Sequence, residues 1–290
     1  MRRLLLLLGL WLAAPFASAA PLQVVVSILP QAYFVQQIAG THARVSVMVR
    51  PGFEPATYDP TPRQLIELSR ARLYFSIGVP FERAWLPRFR SEHPQLRIVD
   101  TSKGIQRLPM AGDHADDADR GLDPHIWLSP PLVRIQAMNI RDALIAADPA
   151  HAADYRHGYA RLAETINRVD DDILHTLAGA DLRHNRFMVF HPAFGYFAKA
   201  YGLQQLTVEQ EGKEPSPRQL AALIDTAKRE HIKVVFVEPQ FSRKAAGSIA
   251  SAIGGKVVVI DPLAEDWPAG MKAIARALRE TLSPAGGQSD

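Results

Sequence analysis

From Ala152 to Ala180 the chain carries apolar residues at helical spacing: Tyr155, Tyr159, Leu162, Ile166, Val169, Ile173 and Leu177. The repeat predicts a single helix, long for a globular protein, and it divides the chain in two. On either side of it, short β-branched runs alternate with amphipathic stretches. Before it come strands at 23–28 (QVVVSI), 44–49, 72–77 and 96–99. Helices fall between them at 31–39 with a Gly40 stop, at 62–70 and at 80–89, and a further helix covers 130–148. After it the alternation resumes, with strands at 187–190, 205–208, 233–238 and 256–261, and helices at 192–201, 216–231, 242–253 and 268–282. Strand and helix alternating at this pace predict parallel sheets covered on both faces. The expected fold is therefore α/β: an N-terminal lobe over 20–151, a linking helix over 152–181 and a C-terminal lobe over 182–290.

The first nineteen residues stand apart. MRRLLLLLGLWLAAPFASA joins two arginines to an apolar run too short to span a bilayer and ends in the small-residue pattern Ala17-Ser18-Ala19, which reads as a cleaved export signal. No cysteine follows it, so lipid attachment is excluded, and the periplasm is the expected location. The sequence contains no cysteine at all; the fold must rest on its core, and any metal site must use nitrogen and oxygen donors. The net charge is +3, and without Arg2 and Arg3 there are 31 basic side chains against 30 acidic ones. That near-neutral balance excludes nucleic acid as an expected partner.

In open α/β sheets ligands bind at the carboxyl ends of the strands. Polar residues placed just past those ends are His191 after FMVF, Glu238 after KVVFV and Asp261 after KVVVI, together with the 51–60 turn of the first half. A further histidine, His125, sits in GLDPHIWLSP between a proline and an apolar run. Imidazoles and carboxylates converging from separate strands suit a divalent cation. Each also has a plainer reading: His125 as a half-buried histidine with local partners, His191 as a helix cap, Asp261 before Pro262 as a turn former, and Glu238 as a supporting carboxylate. Glu209, Glu211 and Glu214 read as a solvated acidic stretch. His42, His93, His151, His157, His175, His184 and His231 read as surface or turn residues.

A set of motifs in fixed order runs through almost the whole chain: VVVSILPQAYFVQQIAG, YDPTPRQ, DPHIWLSP, FHPAFGYFAKAYGL, EGKEPSPRQL, FVEPQFS and IDPLAEDW. In their order and spacing they resemble the cluster A-I metal-binding class of solute-binding proteins, the ZnuA/TroA-like zinc and manganese receptors of ABC transporters. The resemblance implies two parallel-sheet lobes bridged by a rigid helix with the metal between them, and it implies that His125, His191 and Asp261 occupy ligand positions. One ligand does not carry over. Where the family writes a histidine after Gly-x-x-Pro, this chain reads Gly52-Phe53-Glu54-Pro55-Ala56, and Phe53, at the alternative place directly after the glycine, cannot coordinate either. Glu54 is the expected replacement, with a swung-in His114 or a water as alternatives.

The expected function is capture of a divalent ion, zinc before manganese, and delivery to an inner-membrane ABC permease, with no catalytic activity. Nothing in the chain demands a partner subunit, so a monomer is expected. Protonation of the imidazoles at acid pH would release the ion. Two other classes compete. A secreted metallohydrolase would need Glu211 or Glu238 as a base, but no HExxH or nucleophile elbow is present. A receptor for an organic solute would need a larger pocket.

Overall fold

A computed structural model describes residues 20–111, 122–180, 185–209 and 215–282. The expected export signal, His114, His184, Glu211 and Glu214 lie outside the described residues. Two four-stranded sheets, both entirely parallel, form the two halves. In the first the order is β2 (Ala43–Val47), β1 (Leu22–Val26), β3 (Leu73–Ser76), β4 (Arg97–Asp100). In the second it is β6 (Gln204–Thr207), β5 (Arg186–Val189), β7 (Val234–Val237), β8 (Lys256–Val259). The central strands β1, β3, β5 and β7 are made of residues such as Val24 to Val26, Tyr74, Phe75, Met188 and Phe236, buried on both faces as a helix-covered parallel sheet requires.

The helices are α1 (Leu29–Ala39), α2 (Pro62–Ser69), α3 (Phe81–Glu92), α4 (Pro130–Ala147), α5 (Ala152–Leu177), α6 (Gly195–Ala200), α7 (Pro217–Arg229), α8 (Arg243–Ala252) and α9 (Trp267–Leu282). Gly40 takes φ +53° and ends α1 where the sequence marks its stop. Helices α2 and α7 start alike: Thr61 and Ser216 each accept the backbone N–H three residues on, each followed by a proline, while Gln64 and Gln219 reach back. Helix α3 runs three residues past the expected end at 89, through Pro87.

Helix α5 buries Tyr155, Gly158, Leu162, Ile166, Val169, Ile173 and Leu177 in one stripe. Each of its aliphatic side chains contributes about 1.5–3 kcal/mol through removal from water. Gly158 is needed because α1 crosses so closely that a Cβ there would run into the Ile38 carbonyl. Helix α9 returns from the second sheet to pack on α5, and its first residue, Trp267, lies edge-on against Phe34 of α1 with ring centroids 5.4 Å apart. A single apolar core therefore runs from the first sheet through α5 to α9, and a smaller cluster around Met188, Val235 and Ile249 lies beneath α8. The lobes are joined by packing as well as by the linking helix.

Candidate metal centre

His125 is fixed by its own neighbours. Asp123, almost fully buried, accepts both the His125 backbone N–H at 2.8 Å and a hydrogen bond with Nδ1 at 2.7 Å, folding the Asp-Pro-His segment into a tight turn. The following residues Ile126–Leu128 form one 3-10 turn, buried throughout. Trp127 donates its indole N–H to the Pro262 carbonyl at 2.7 Å, and Trp267 donates to the Trp127 carbonyl at 2.8 Å. Tyr196 donates its hydroxyl to the Asp123 carbonyl at 2.9 Å. The segment carrying His125 is thus clamped to the second lobe beside Asp261.

His191 stands one residue past Phe190 at the end of β5. Its Nδ1 pairs with Glu209 Oε2 at 2.6 Å, and Phe241 stacks on the ring at 5.1 Å between centroids. Glu209 is buried, so the reading of that residue as part of a solvated acidic stretch is wrong; it follows β6 and turns inward to meet His191. Both imidazoles therefore use Nδ1 on a buried carboxylate. Neither Nε2 has a protein partner among the described residues. Fixing one ring nitrogen so that the other is presented is how proteins prepare histidines for a metal.

The two rings face each other across the lobes with centroids 5.2 Å apart and planes at 71°. Between the lobes lies a chamber of about 30 Å³, lined by Glu54, Pro55, His125, Trp127, His191, Glu238, Gln240, Phe241, Pro262 and Leu263. It has room for an ion with a water and is an order of magnitude below the roughly 300 Å³ at which organic-ligand pockets begin. His125, His191 and Glu54 line one chamber. Asp261 does not line it: it faces an adjoining cavity with Arg50, Gly52 and Glu265, and its Oδ1 accepts the Leu263 N–H at 2.8 Å. The two cavities share Gln240 and Leu263. Among the described residues no three His, Asp or Glu side chains are drawn close enough to hold an ion as they stand.

The carboxylates at this junction are short of positive charge. Burial raises the Glu54 pKa, with Glu209 adding to the rise and His191 opposing it. Burial pushes the Glu238 carboxyl up to about 8, and the nearby Glu209 and Asp261 push the same way against backbone hydrogen bonds. A divalent cation would relieve both.

Asp123 and Glu209 are the residues of the candidate site that motif spacing misses. The Asp-Pro-His turn and the position just past a strand end are the signals that could have found them. Two other histidines lie in 3-10 turns, as expected, and are paired there. His42 and His151 stack at 3.9 Å beside the start of α5, His42 paired with Asp154 at 3.1 Å and His151 with Asp148 at 2.6 Å.

Two parallel lobes bridged by a long helix, with prepared imidazoles and acidic side chains meeting at the junction, define a two-lobed receptor of the metal-binding kind. A family model described as zinc-uptake complex component A, periplasmic (ZnuA), matches residues 24–281, and the chain belongs to that family. The high-affinity zinc uptake system protein ZnuA of Bacillus subtilis (strain 168) is 30% identical over 254 residues, covering 83% of this chain and 78% of the relative. The iron-binding protein YfeA of Yersinia pestis is 31% identical over 258 residues, covering 86% and 80%. The crystal structure of a ZnuA superposes with a TM-score of 0.85 at 39% identity, over 91% of this chain and all of that one. The family consists of metal-binding transport receptors and not enzymes, so the hydrolase reading of Glu211 and Glu238 is set aside.

Proposed function

We propose that this chain captures a divalent cation, zinc foremost, in the chamber between lobes 20–151 and 182–290, with 152–181 as the fixed spacer. It then delivers the ion to an ABC permease of the inner membrane. His125 and His191 supply nitrogen through Nε2, and Glu54 and Asp261 supply oxygen, Glu54 standing in for the histidine that Ala56 replaces. Glu54 already borders the chamber; Asp261 has to turn from the adjoining cavity. The observation that carries this reading is the pair of imidazoles 5.2 Å apart, each tied at Nδ1 to a buried carboxylate. The leader-like residues 1–19 support periplasmic residence, and among the described residues no helix is long and apolar enough to cross a membrane. A monomer suffices for this role.

Manganese is the second reading, favoured by one observation: with Ala56 in the histidine slot, oxygen donors equal or outnumber imidazoles, which narrows the preference for zinc. Trp127 reports directly, its ring centroid lying 5.0 Å from that of His125. Protein stripped by chelation and titrated with each ion should show saturable Trp127 fluorescence changes, tighter for zinc, and His125→Ala should lose them. Equal metal content in wild type and His125→Ala by elemental analysis would sink the assignment.

A further inference from the structure

Among the described residues the chamber contains one buried oxygen that meets no hydrogen-bond donor, Oε1 of Glu238. The residue follows β7 directly and is 1% exposed. Its other oxygen, Oε2, accepts the His191 backbone N–H at 3.3 Å. Buried polar atoms in folded proteins are almost always paired, and an exception at a cavity wall marks a place where something else completes the set.

We propose that Glu238 gives Oε1 to the captured cation as an oxygen donor beside His125 and His191. The inference rests on the reading of the chamber as the capture site. Three features carry it. The bond from His191 N–H to Oε2 sets the orientation of the carboxylate, so the second oxygen is offered without a search through rotamers. The same bond ties Glu238 to the backbone of His191, the residue whose ring borders the chamber. Charge favours it too: Glu54 and Glu238 are the carboxylates that already line the chamber, so they meet an entering divalent ion before Asp261 turns in. Asp261 has one oxygen engaged by Leu263 and faces the neighbouring cavity. Carboxylate oxygen near ~2.0–2.2 Å is an ordinary donor for zinc beside imidazole nitrogen.

The test compares Glu238→Gln and Glu238→Ala with the full-length wild type and with His125→Ala, using zinc for affinity and cobalt for its visible absorption. The glutamine carbonyl still accepts the His191 N–H but brings no negative charge and is a poor donor. If Glu238 binds the ion, Glu238→Gln binds zinc at least ~10-fold more weakly. The cobalt spectrum then changes in position and intensity, while the metal-free variant melts at or above the wild-type temperature. Wild-type affinity, or an unchanged cobalt spectrum, in Glu238→Gln with loss confined to Glu238→Ala overturns the proposal and leaves Glu238 as a prop for the His191 backbone. Should Glu238→Gln fail to fold, Glu238→Asp keeps the charge and withdraws the oxygen, and an unchanged spectrum there overturns it equally. If the wild type binds neither ion, the capture reading itself fails and takes this inference with it. If His125→Ala loses binding while Glu238→Gln does not, only this inference fails.

Discussion

At the carboxyl end of the first sheet Glu82 is enclosed by donors: Ser27 Oγ–H, the Ile77 N–H at 3.0 Å and the Gly78 N–H at 2.7 Å. At the corresponding end of the second sheet Glu238 accepts the His191 N–H on Oε2, its own backbone N–H also favours the carboxylate, and Oε1 has no partner among the described residues. The two carboxyls are alike in burial, and burial raises both, Glu82 to about 7 and Glu238 to about 8. The neighbours repeat the contrast. In the first lobe Gln31 accepts from the Ser27 N–H and donates to Thr101 and to the Ser76 carbonyl, to which Thr101 also donates. In the second lobe His191, Glu209, Glu238 and Asp261 each follow a different strand, and among the described residues Oε1 of Glu238 has no protein partner. A buried carboxyl alone therefore does not mark a site; one that lines a cavity with its hydrogen bonds incomplete is the better candidate.

The largest expected effect breaks the first side of that contrast. Glu82→Ala strands the Ile77 and Gly78 N–H groups and should cost about 2–5 kcal/mol in urea unfolding of the metal-free protein. Glu238→Gln, which replaces a carboxyl whose pKa burial has pushed up to about 8 with a neutral group of the same shape, should cost less than about 1 kcal/mol in the same assay at pH 7. Equal losses would show that the donor count does not separate the two sites. Glu82 has a pH signature as well. Its folded pKa is raised from 4.5 to about 7, so the folded state holds a proton that the unfolded chain gives up first. That contribution to stability is complete below 4.5 and is lost as pH rises through 7. Glu82→Gln should make the decline between pH 5 and 7 shallower, and an identical slope in the two proteins would refute the assignment.

The second side is tested more gently at Glu209. Its carboxylate holds Nδ1 of His191 and does not line the chamber. Glu209→Ala should therefore weaken zinc binding by roughly 10–100-fold, the usual range for a residue that orients a ligand, while leaving unfolding of the metal-free protein nearly unchanged. A loss of stability with affinity intact would reassign Glu209 to the core.

The fold was largely legible because each sheet is built from period-breaking β-branched runs and the linking helix from an unbroken 3.6-residue repeat. Of the stripe read from sequence only Tyr159 differs, half-buried beneath the Arg141 guanidinium at 4.5 Å while Gly158 takes the inner position. Gly158 escaped notice because its role is to be absent, and hydrophobic pattern does not register a missing side chain. Position in the sequence pointed to the candidate site: His125, His191 and Glu54 line one chamber, His191 and Glu54 because they follow β5 and β2. What position could not supply was pairing. Glu209 lies eighteen residues from His191 and beside other acidic residues, so local composition argued for solvent, and only the β5–β6 register shows the two meeting. The orientation of Asp261 toward the adjoining cavity depends on a single turn, Asp261 Oδ1 to Leu263 N–H, below the resolution of any spacing rule.

The smallest expected effect restores what this chain lacks. Ala56 is exposed on a loop whose frame is complete without a histidine: Tyr58 is buried and donates to Gln64, Gln64 donates to the Met48 carbonyl, and the Pro55 carbonyl accepts from Phe81 N–H. An imidazole introduced by Ala56→His thus meets an existing scaffold next to Pro55, which lines the chamber. Zinc should bind roughly tenfold more tightly, and manganese should gain less, because imidazole favours the softer ion. Glu54 decides the interpretation. If it holds the vacated ligand place, Ala56→His should gain more in a Glu54→Gln background than alone, since the new ring then replaces a lost donor and competes with nothing; the difference is the coupling between the two positions. Equal gains in both backgrounds would mean that Glu54 and residue 56 act independently, and the first lobe would then reach the ion through a donor other than Glu54.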